Sequence, residues 1–249
     1  MWCLYASEIA ALVGKHLWQN QYEAILKILA RHGHVKFQSK YERMQQVIKT
    51  IELKSDSPET PLQKRKIEEH VTDAVRTHVI SQEDAKLVLE QTTRLVNQST
   101  GQVEERQVVK AENIQLNNSK LYRTQLGDRV TLMGRVDGFR DGVLTELKRR
   151  MRTIQVSQLV PSYDLLQCMC YLKLTGEIRM MLVETDKKQH KRETQVLWNE
   201  RRWKELETDI LRVVDDMERL LSQTDVLRSF VDAGTSGRWD QCQMLWFSI

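Results

Sequence analysis

Residues 134–148 read Gly134-Arg-Val-Asp137-Gly-Phe-Arg-Asp-Gly142-Val-Leu-Thr-Glu146-Leu-Lys148, and this pattern predicts a β-hairpin. The Asp-Gly pair at 141–142 supplies the turn, and residues 143–148 form the return strand. Side chains alternate between the two faces of a strand, so Glu146 and Lys148 share one face. Asp137 arrives from the neighbouring strand. The segment therefore predicts that two carboxylates and one ammonium group converge on one small space.

Such a group of side chains suits a divalent metal and the hydrolysis of a phosphodiester. Mg²⁺ prefers oxygen ligands and is usually held by one or two carboxylates, with water and substrate phosphate completing its shell. Lys148 can orient or deprotonate the attacking water and offset charge on the phosphate. The alternative is that Glu146-x-Lys148 is a solvated ion pair on a surface strand, where such a pair contributes little.

A helix is predicted downstream, over residues 162–175. Ser162 is the N-cap candidate, and Gly176 is placed to end the helix in a left-handed conformation. Gln167 and Tyr171 are four residues apart and share a helix face. The alternative assigns Tyr171 to the core and Gln167 to the helix surface. Residues 177–184 predict a further strand, so hairpin, helix and strand follow in the order of an α/β protein.

Taken together, Asp137, Glu146-x-Lys148 and Gln167-x-x-x-Tyr171 resemble the motifs of the PD-(D/E)XK nuclease superfamily. The resemblance is to its RecB-like and lambda-exonuclease-like branch, the YqaJ viral recombinases, which the Gln-x-x-x-Tyr element separates from restriction-enzyme relatives. Residues 5–15 are similar to the opening segment of YqaJ-type proteins. The resemblance covers roughly residues 5–29 and 85–190.

The resemblance implies an α/β fold with a central mixed β-sheet flanked by helices, a restriction-endonuclease-like core, preceded by an N-terminal helical segment. It implies Mg²⁺ or Mn²⁺ held by Asp137, Glu146 and the backbone carbonyl of Leu147, with Lys148 serving the water. Gln167 would position the nucleophile or Lys148. Tyr171 would support that helix or contact the DNA backbone.

The family also places an acidic residue on a helix ahead of the hairpin, and Glu90 is the candidate here. It lies in a helix predicted over residues 81–96, which Ser81 and Asp84 open in the pattern of a capping box. Periodicity alone makes Glu90 a surface carboxylate, and its spacing before Ser-Thr-Gly at 99–101 recommends it by resemblance. Two other glutamates compete for this role, Glu69 and Glu83.

Positive charge is concentrated directly after the predicted catalytic strand. The chain has 249 residues and a net charge of only +4, so the overall charge says little about partners. Arg149, Arg150 and Arg152 follow Lys148, where cations can contact phosphates beside the scissile bond. A solvated loop is the alternative, and it is the preferred interpretation for a second basic cluster at residues 187–192.

The four cysteines show no metal-binding spacing, which favours a reduced intracellular compartment, cytoplasm or nucleus, over secretion. The N-terminus lacks a basic leader, and no apolar run reaches membrane-spanning length. One nuclease domain over residues 1–249 is expected. It comprises an N-terminal helical part (1–80), a catalytic core (81–221) and a C-terminal tail (222–249).

Within that domain, helices are predicted over residues 7–32, 41–54, 62–98 (in two pieces) and 198–221. Weaker strand candidates lie at 103–109 and 114–123. The aromatic residues of the tail can pack on the core or on another subunit, and the sequence does not choose between them.

The resulting interpretation is an Mg²⁺-dependent deoxyribonuclease, an exonuclease on duplex DNA ends used in recombination or repair. A structure-selective endonuclease on the same fold is one alternative, and a catalytically silent DNA-binding or scaffold protein is another. The intact set of Asp, Glu, Lys and Gln argues against silence. DNA is the expected partner, with no membrane. A second copy of the chain and a single-strand annealing or recombination protein are further candidate partners.

Overall fold

The computed structural model describes residues 1–50, 60–90, 92, 96, 114–116, 119–150, 152–155, 159–186, 188 and 190–249. The strands in these ranges are β1 (Trp2–Tyr5), β2 (Gln115–Leu116), β3 (Tyr122–Leu126), β4 (Val130–Gly134), β5 (Gly138–Arg140), β6 (Val143–Arg150), β7 (Arg179–Asp186) and β8 (Lys191–Leu197). The helices are α1 (Ile9–Leu12), α2 (Gln21–Arg31), α3 (Lys40–Thr50), α4 (Thr60–Arg76), α5 (82–90), α6 (Ser162–Thr175), α7 (Glu200–Ser222), α8 (Thr224–Thr235) and α9 (Trp239–Phe247).

The strands form two sheets, one with the order β1-β4-β3 and one with the order β2-β5-β6-β7-β8. Strand β1 runs parallel to β4 and β6 runs parallel to β7, whereas the remaining pairs are antiparallel. The predicted α/β class with mixed pairing and flanking helices is confirmed. The strands are divided between two sheets because the chain leaves the first sheet after β4 and enters the second at β5.

The predicted turn at residues 141–142 is present and joins β5 to β6. Asp141 has φ 51° and Gly142 has φ 75°, the left-handed pair that a tight two-residue hairpin requires. Arg140 and Val143 face each other across the turn. This turn fixes the register of β6 and therefore the face on which Glu146 and Lys148 lie.

Helix α6 packs against strands of both sheets, β3 and β4 of the smaller one and β7 and β8 of the larger one, and it ends as predicted. Gly176 has φ 77°, and its backbone N–H donates to the carbonyl of Leu172. The start of the helix differs from the prediction, because Pro161 occupies the N-cap position and Ser162 is already helical. No side chain caps this helix, since proline has no hydrogen-bonding side chain to offer.

The N-terminal part, predicted to be helical over residues 1–80, begins with a strand. Strand β1 pairs with β4, and the helix predicted over residues 7–32 is divided into α1 and α2. Asn20 caps α2 by accepting hydrogen bonds from the backbone N–H groups of Tyr22 and Glu23. The interruption has a physical cause, because Gly14 is left-handed (φ 70°) and ends α1.

The C-terminal tail packs on the core. Phe230 of α8 and Trp246 of α9 are buried with the residues of the main hydrophobic cluster. Burial of each such side chain contributes about 1.5–3 kcal/mol. Helix α7, predicted over 198–221, also lies against this cluster through Trp203, Leu206 and Ile210.

Several remaining predictions meet the structure only in part. The strand candidate at 103–109 lies outside the described residues, and the candidate at 114–123 corresponds to β2 and the start of β3. All four cysteines are free thiols, and burial raises the pKa of Cys170 to about 12. Across the described ranges, no helix is both long and apolar enough to cross a membrane.

Candidate active site

The carboxylate of Asp137 is fixed against the edge of strand β6. Its Oδ2 accepts a hydrogen bond of 2.8 Å from the backbone N–H of Leu147. Strand β5 pairs with β6 only from Thr145 to Val143, so beyond Thr145 this edge of β6 is open to a side chain. Because the N–H and C=O of one strand residue point to the same side, the Leu147 carbonyl also points toward Asp137.

Glu146, Lys148 and Gln167 form a hydrogen-bonded triangle above the same strand. Lys148 Nζ donates to Glu146 Oε1 at 2.7 Å and to Gln167 Oε1 at 2.9 Å. Gln167 Nε2 lies 3.2 Å from Glu146 Oε1 and donates to it. The structure thus brings the glutamine of α6 onto the Glu-x-Lys pair of β6, as the shared strand face and helix face predict.

Tyr171 holds the amide of Gln167 from one helical turn away. Gln167 Nε2 donates to the Tyr171 hydroxyl at 2.8 Å, and Tyr171 itself is buried. Of its two predicted roles, support of the helix fits this position. Contact with the DNA backbone does not fit, because the ring is enclosed by the core.

Burial dominates the electrostatics of this site. Removal from water raises the pKa of Glu146 to about 8, while Lys148 opposes the rise and the nearby Asp137 carboxylate adds to it. Burial also disfavours the charged form of Lys148, but Glu146 outweighs this and holds its pKa above the ordinary value. Two carboxylates this close repel each other, so the site favours a bound cation.

The donor set fits a small divalent metal. Glu146 Oε2 is buried and has no hydrogen-bond partner, whereas Oε1 accepts from Lys148 and Gln167. An unpartnered buried carboxylate oxygen is costly unless a cation or water satisfies it. Within the described part of the chain, no group of three or more His, Cys, Asp and Glu could hold a metal ion. A hard cation such as Mg²⁺ needs only one or two carboxylates, completed by carbonyl, water and phosphate oxygens.

The structure does not bring Glu90 into this group. Its carboxylate is exposed and lies 3.9 Å from Lys86 Nζ on the same helix. The residues of α5 pack with α3 and α4 in a second hydrophobic cluster, separate from the one that carries α6. The predicted capping box that opens α5 is present, with Asp84 N–H donating to Ser81 Oγ at 3.0 Å. The competing Glu69 and Glu83 are also exposed and lie near Arg65 and Arg43.

The three arginines after Lys148 occupy different positions. Arg150 lies in ion pairs with Asp164 and Glu184, at 2.5 and 2.7 Å. This geometry favours a structural role over its predicted phosphate-binding role, because Nε and one terminal nitrogen of its guanidinium face two buried carboxylates. Arg149 lies on the opposite strand face and donates to the carbonyl of Asp186. Arg152 is exposed.

A cleft of about 360 Å³ is lined by Glu184, the partner of Lys148 in the pairing of β6 and β7, and by residues that follow Lys148 in the chain. Its lining includes four arginines and two aromatic residues, namely Arg149, Arg150, Arg152, Arg192, Trp18 and Tyr163. Asp164 and Glu184 balance Arg150 and Arg192, and the two further guanidinium groups of Arg149 and Arg152 give the cleft a net positive charge that favours an anion. Arg192 was assigned to a solvated loop from the sequence, and the structure corrects this, since it lies 2.5 Å from Glu184 Oε2.

Sequence reasoning missed the buried carboxylates around Arg150. Asp164 and Glu184 are 2% and 0% exposed. Asp164 sits three residues before Gln167 in a helix, a spacing that puts both on one face. Glu184 follows Leu182 at the two-residue spacing of a strand face. A charged residue at a core-facing position was the signal available in the sequence.

No protein-family model matches the chain, and a search of curated proteins returns no significant relative. The chain is similar to the alkaline exonuclease LHK-Exo from Laribacter hongkongensis, at 12% identity and a TM-score of 0.47, over 89% of this chain and 91% of that one. It is similar to LHK-Exo in complex with dAMP at 13% identity and a TM-score of 0.46, over 88% and 89%. These values describe a distant similarity.

Proposed function

We propose that this protein is a metal-dependent deoxyribonuclease. The observation that carries the proposal is the unpartnered Glu146 Oε2, buried beside Asp137 and on the strand that bears Lys148. Asp137, Glu146 and the Leu147 carbonyl would hold Mg²⁺ or Mn²⁺. When bound, such an ion lowers the pKa of a coordinated water and offsets charge on the phosphate.

The residues of the triangle divide the remaining work. The ammonium group of Lys148 has three N–H donors, and its contacts with Glu146 and Gln167 use two of them. The third is available to orient the attacking water or to donate to a phosphate oxygen. Gln167 holds Lys148 and Glu146 in place, and Tyr171 holds Gln167. Water attacks phosphorus and loses a proton, the P–O bond to the leaving strand breaks, and the leaving oxygen takes up a proton from solvent.

DNA is the proposed substrate, and its phosphates would lie in the arginine-lined cleft. Arg149 and Arg152 are the residues proposed to contact them, because Arg150 is held by Asp164 and Glu184. An exonuclease acting on duplex ends inside the cell, in recombination or repair, is the finer form of the proposal. It rests on the motif resemblance of Asp137, Glu146-x-Lys148 and Gln167-x-x-x-Tyr171.

A catalytically silent DNA-binding protein on the same fold is the second candidate. The observation in its favour is that Glu90 stays outside the site, which leaves two carboxylates where the resemblance implies three. The arginine-lined cleft would serve binding in either case.

Incubation with DNA labelled at one end tests these alternatives. Duplex and single-stranded substrates, labelled at the 5′ or the 3′ end, are incubated with Mg²⁺, with Mn²⁺ and with a chelator. Metal-dependent loss of mononucleotides from one end supports the exonuclease, and internal fragments support an endonuclease. Binding without cleavage under every metal condition supports the silent protein.

A further inference from the structure

Four largely buried charged residues continue the face of the sheet that bears Glu146 and Lys148. We name Arg150, Asp164, Glu184 and Arg192 the ion-pair network. Arg150 is two residues beyond Lys148 on β6, and Glu184 is the partner of Lys148 in the parallel pair of β6 and β7. Arg192 of β8 faces Glu184. The network therefore adjoins the proposed site on one surface.

Hydrogen bonds within the network are short and directional. Arg150 Nε donates to Glu184 Oε1 at 2.8 Å, and a terminal nitrogen of Arg150 donates to Asp164 Oδ2 at 2.5 Å. Arg192 Nε donates to Glu184 Oε2 at 2.5 Å. The planar guanidinium of Arg150 thus joins a helix residue to a strand residue, a geometry that a lysine ammonium cannot reproduce.

The network balances two positive charges with two negative ones, largely away from solvent. Separating any member from its partners would leave a buried charge without compensation. The four side chains are therefore strongly held in this arrangement. Asp164 is the single member that lies on a helix. It attaches the first turn of α6 to strand β6 through Arg150.

Within the described ranges, the first turn of α6 has no other ion pair to the sheet. Pro161 provides no side-chain cap, and Ser162 makes no capping hydrogen bond. Gln167 follows Asp164 by three residues on the same helix face, less than one turn away. The ion pair between Asp164 of α6 and Arg150 of β6 is therefore close enough to Gln167 to affect where it meets Lys148, in addition to the core packing of the later turns of the helix.

We propose that Asp164 and Arg150 are positioning residues, which place Gln167 against Lys148 and Glu146. The inference rests on the proposed nuclease function for its kinetic consequences. Arg150 acts through Asp164 and does not contact the substrate. Loss of the pair shifts Gln167 and slows the chemical step while leaving DNA binding intact.

The kinetic test compares Asp164→Asn and Arg150→Lys with the parent protein on labelled DNA in Mg²⁺. Both variants should lower kcat by about 10- to 100-fold, the effect of a displacement of about 1 Å at a reacting group, and change KM by less than about twofold. Asp164→Glu keeps the carboxylate and should recover part of kcat. If Asp164→Asn does not fold, Arg150→Lys supplies the result, since it keeps the charge.

Glu193→Gln is the matched control. Glu193 also accepts two hydrogen bonds from an arginine, Arg140, at 2.8 Å each, but it lies on the opposite face of the same sheet. This control should leave both kinetic constants unchanged. A rise in KM at constant kcat in Arg150→Lys would overturn the inference, because it would mean that Arg150 binds a phosphate. Unchanged kinetics in Asp164→Asn would overturn it as well.

A crystal structure of Asp164→Asn separates this inference from the proposed function. Displacement of Gln167 from Lys148 would support the positioning role even if the parent protein cleaved no DNA, in which case only the nuclease proposal fails. Gln167 unmoved at its 2.9 Å distance from Lys148 would overturn the positioning role, whatever the activity of the parent.

Discussion

Asp137 Oδ2 accepts a hydrogen bond of 2.8 Å from the backbone N–H of Leu147. Asp137 lies in the segment that connects β4 of one sheet to β5 of the other, and the hydrogen bond holds it against the strand that carries Glu146 and Lys148. The hydrogen bond therefore fixes the distance between the two carboxylates of the proposed site. Asp137 therefore has two roles: its oxygen accepts this hydrogen bond, and its negative charge is available to a metal ion. Different substitutions can remove one role or both.

Asp137→Asn and Asp137→Ala should therefore behave differently. The amide oxygen of asparagine still accepts from Leu147 N–H, so the free energy of unfolding of Asp137→Asn should stay within about 1 kcal/mol of the parent value. The free energy of unfolding of Asp137→Ala should fall by about 1.5–3 kcal/mol, the value of a hydrogen bond to a charged group. Both should lose Mn²⁺ binding. Thermal unfolding and titration calorimetry measure the two effects, and tight Mn²⁺ binding by either variant would argue against Asp137 as a ligand.

Gln167→Ala should slow DNA cleavage without weakening DNA binding. The variant removes one of the two acceptors of the Lys148 ammonium group and a donor to Glu146. We expect a rate about 10- to 100-fold lower in single-turnover assays, because orientation at the reacting centre is impaired. Gln243→Ala, at an exposed position of α9, is the control. Equal cleavage rates for the parent protein and Gln167→Ala would show that Gln167 does not contribute to the reaction.

Arg149→Ala and Arg152→Ala should weaken DNA binding and reduce its salt dependence. Removing one phosphate-binding arginine should lower the slope of log K against log salt by about 1, because fewer counterions are released when the DNA binds. Fluorescence anisotropy in chelator, at several salt concentrations, measures this without cleavage. Arg201→Ala is the control, since Arg201 is exposed on α7 and does not line the cleft. An unchanged slope of log K against log salt in both variants would mean that the DNA does not bind in the arginine-lined cleft.

Glu193 should make the protein sensitive to acid. Hydrogen bonds from Arg140 and Lys191 lower the pKa of Glu193 from 4.5 to about 2. The unfolded chain takes up this proton first as pH falls, so the stability that Glu193 contributes is full above pH 4.5 and is lost progressively down to about pH 2.

Melting temperatures of the parent protein and Glu193→Gln between about pH 2 and about pH 7 test this relation. The variant should be less stable at neutral pH and should lose less stability on acidification than the parent protein. Glu177→Gln changes an exposed glutamate and serves as the control. Parallel curves for the parent protein and Glu193→Gln would show that the ion pair does not contribute.

Local patterns predicted the parts of the site that depend on local geometry. Strand alternation placed Glu146 and Lys148 together, the Asp-Gly pair predicted the turn, and Gly176 predicted the end of α6. These features follow from backbone preferences of neighbouring residues. The position of Gln167 against Lys148 was predicted from a shared helix face and the motif resemblance.

Features that depend on distant partners could not be predicted in this way. Arg150 was assigned to phosphate binding from its position after Lys148. Its partners Asp164 and Glu184 lie 14 and 34 residues away in the sequence, so no local pattern indicates the ion pairs. The pairing of β1 with β4 joins the two ends of a long stretch of chain, Trp2 with Val130, and leaves no local signal. Glu90 was chosen by its spacing in the sequence. Its distance from the site follows from the packing of α5 against α3 and α4, which the spacing does not predict.

Cleavage of end-labelled duplex DNA by the parent protein and by Lys148→Ala, with Mg²⁺ in both reactions, tests the central claim most directly. The parent protein should release labelled product in Mg²⁺ and none in chelator. Lys148→Ala should bind the same DNA and cleave it about 10²- to 10⁴-fold more slowly, the range that a positioned proton-transferring or charge-stabilising group contributes. Cleavage by Lys148→Ala at the rate of the parent protein would contradict the assignment of the site.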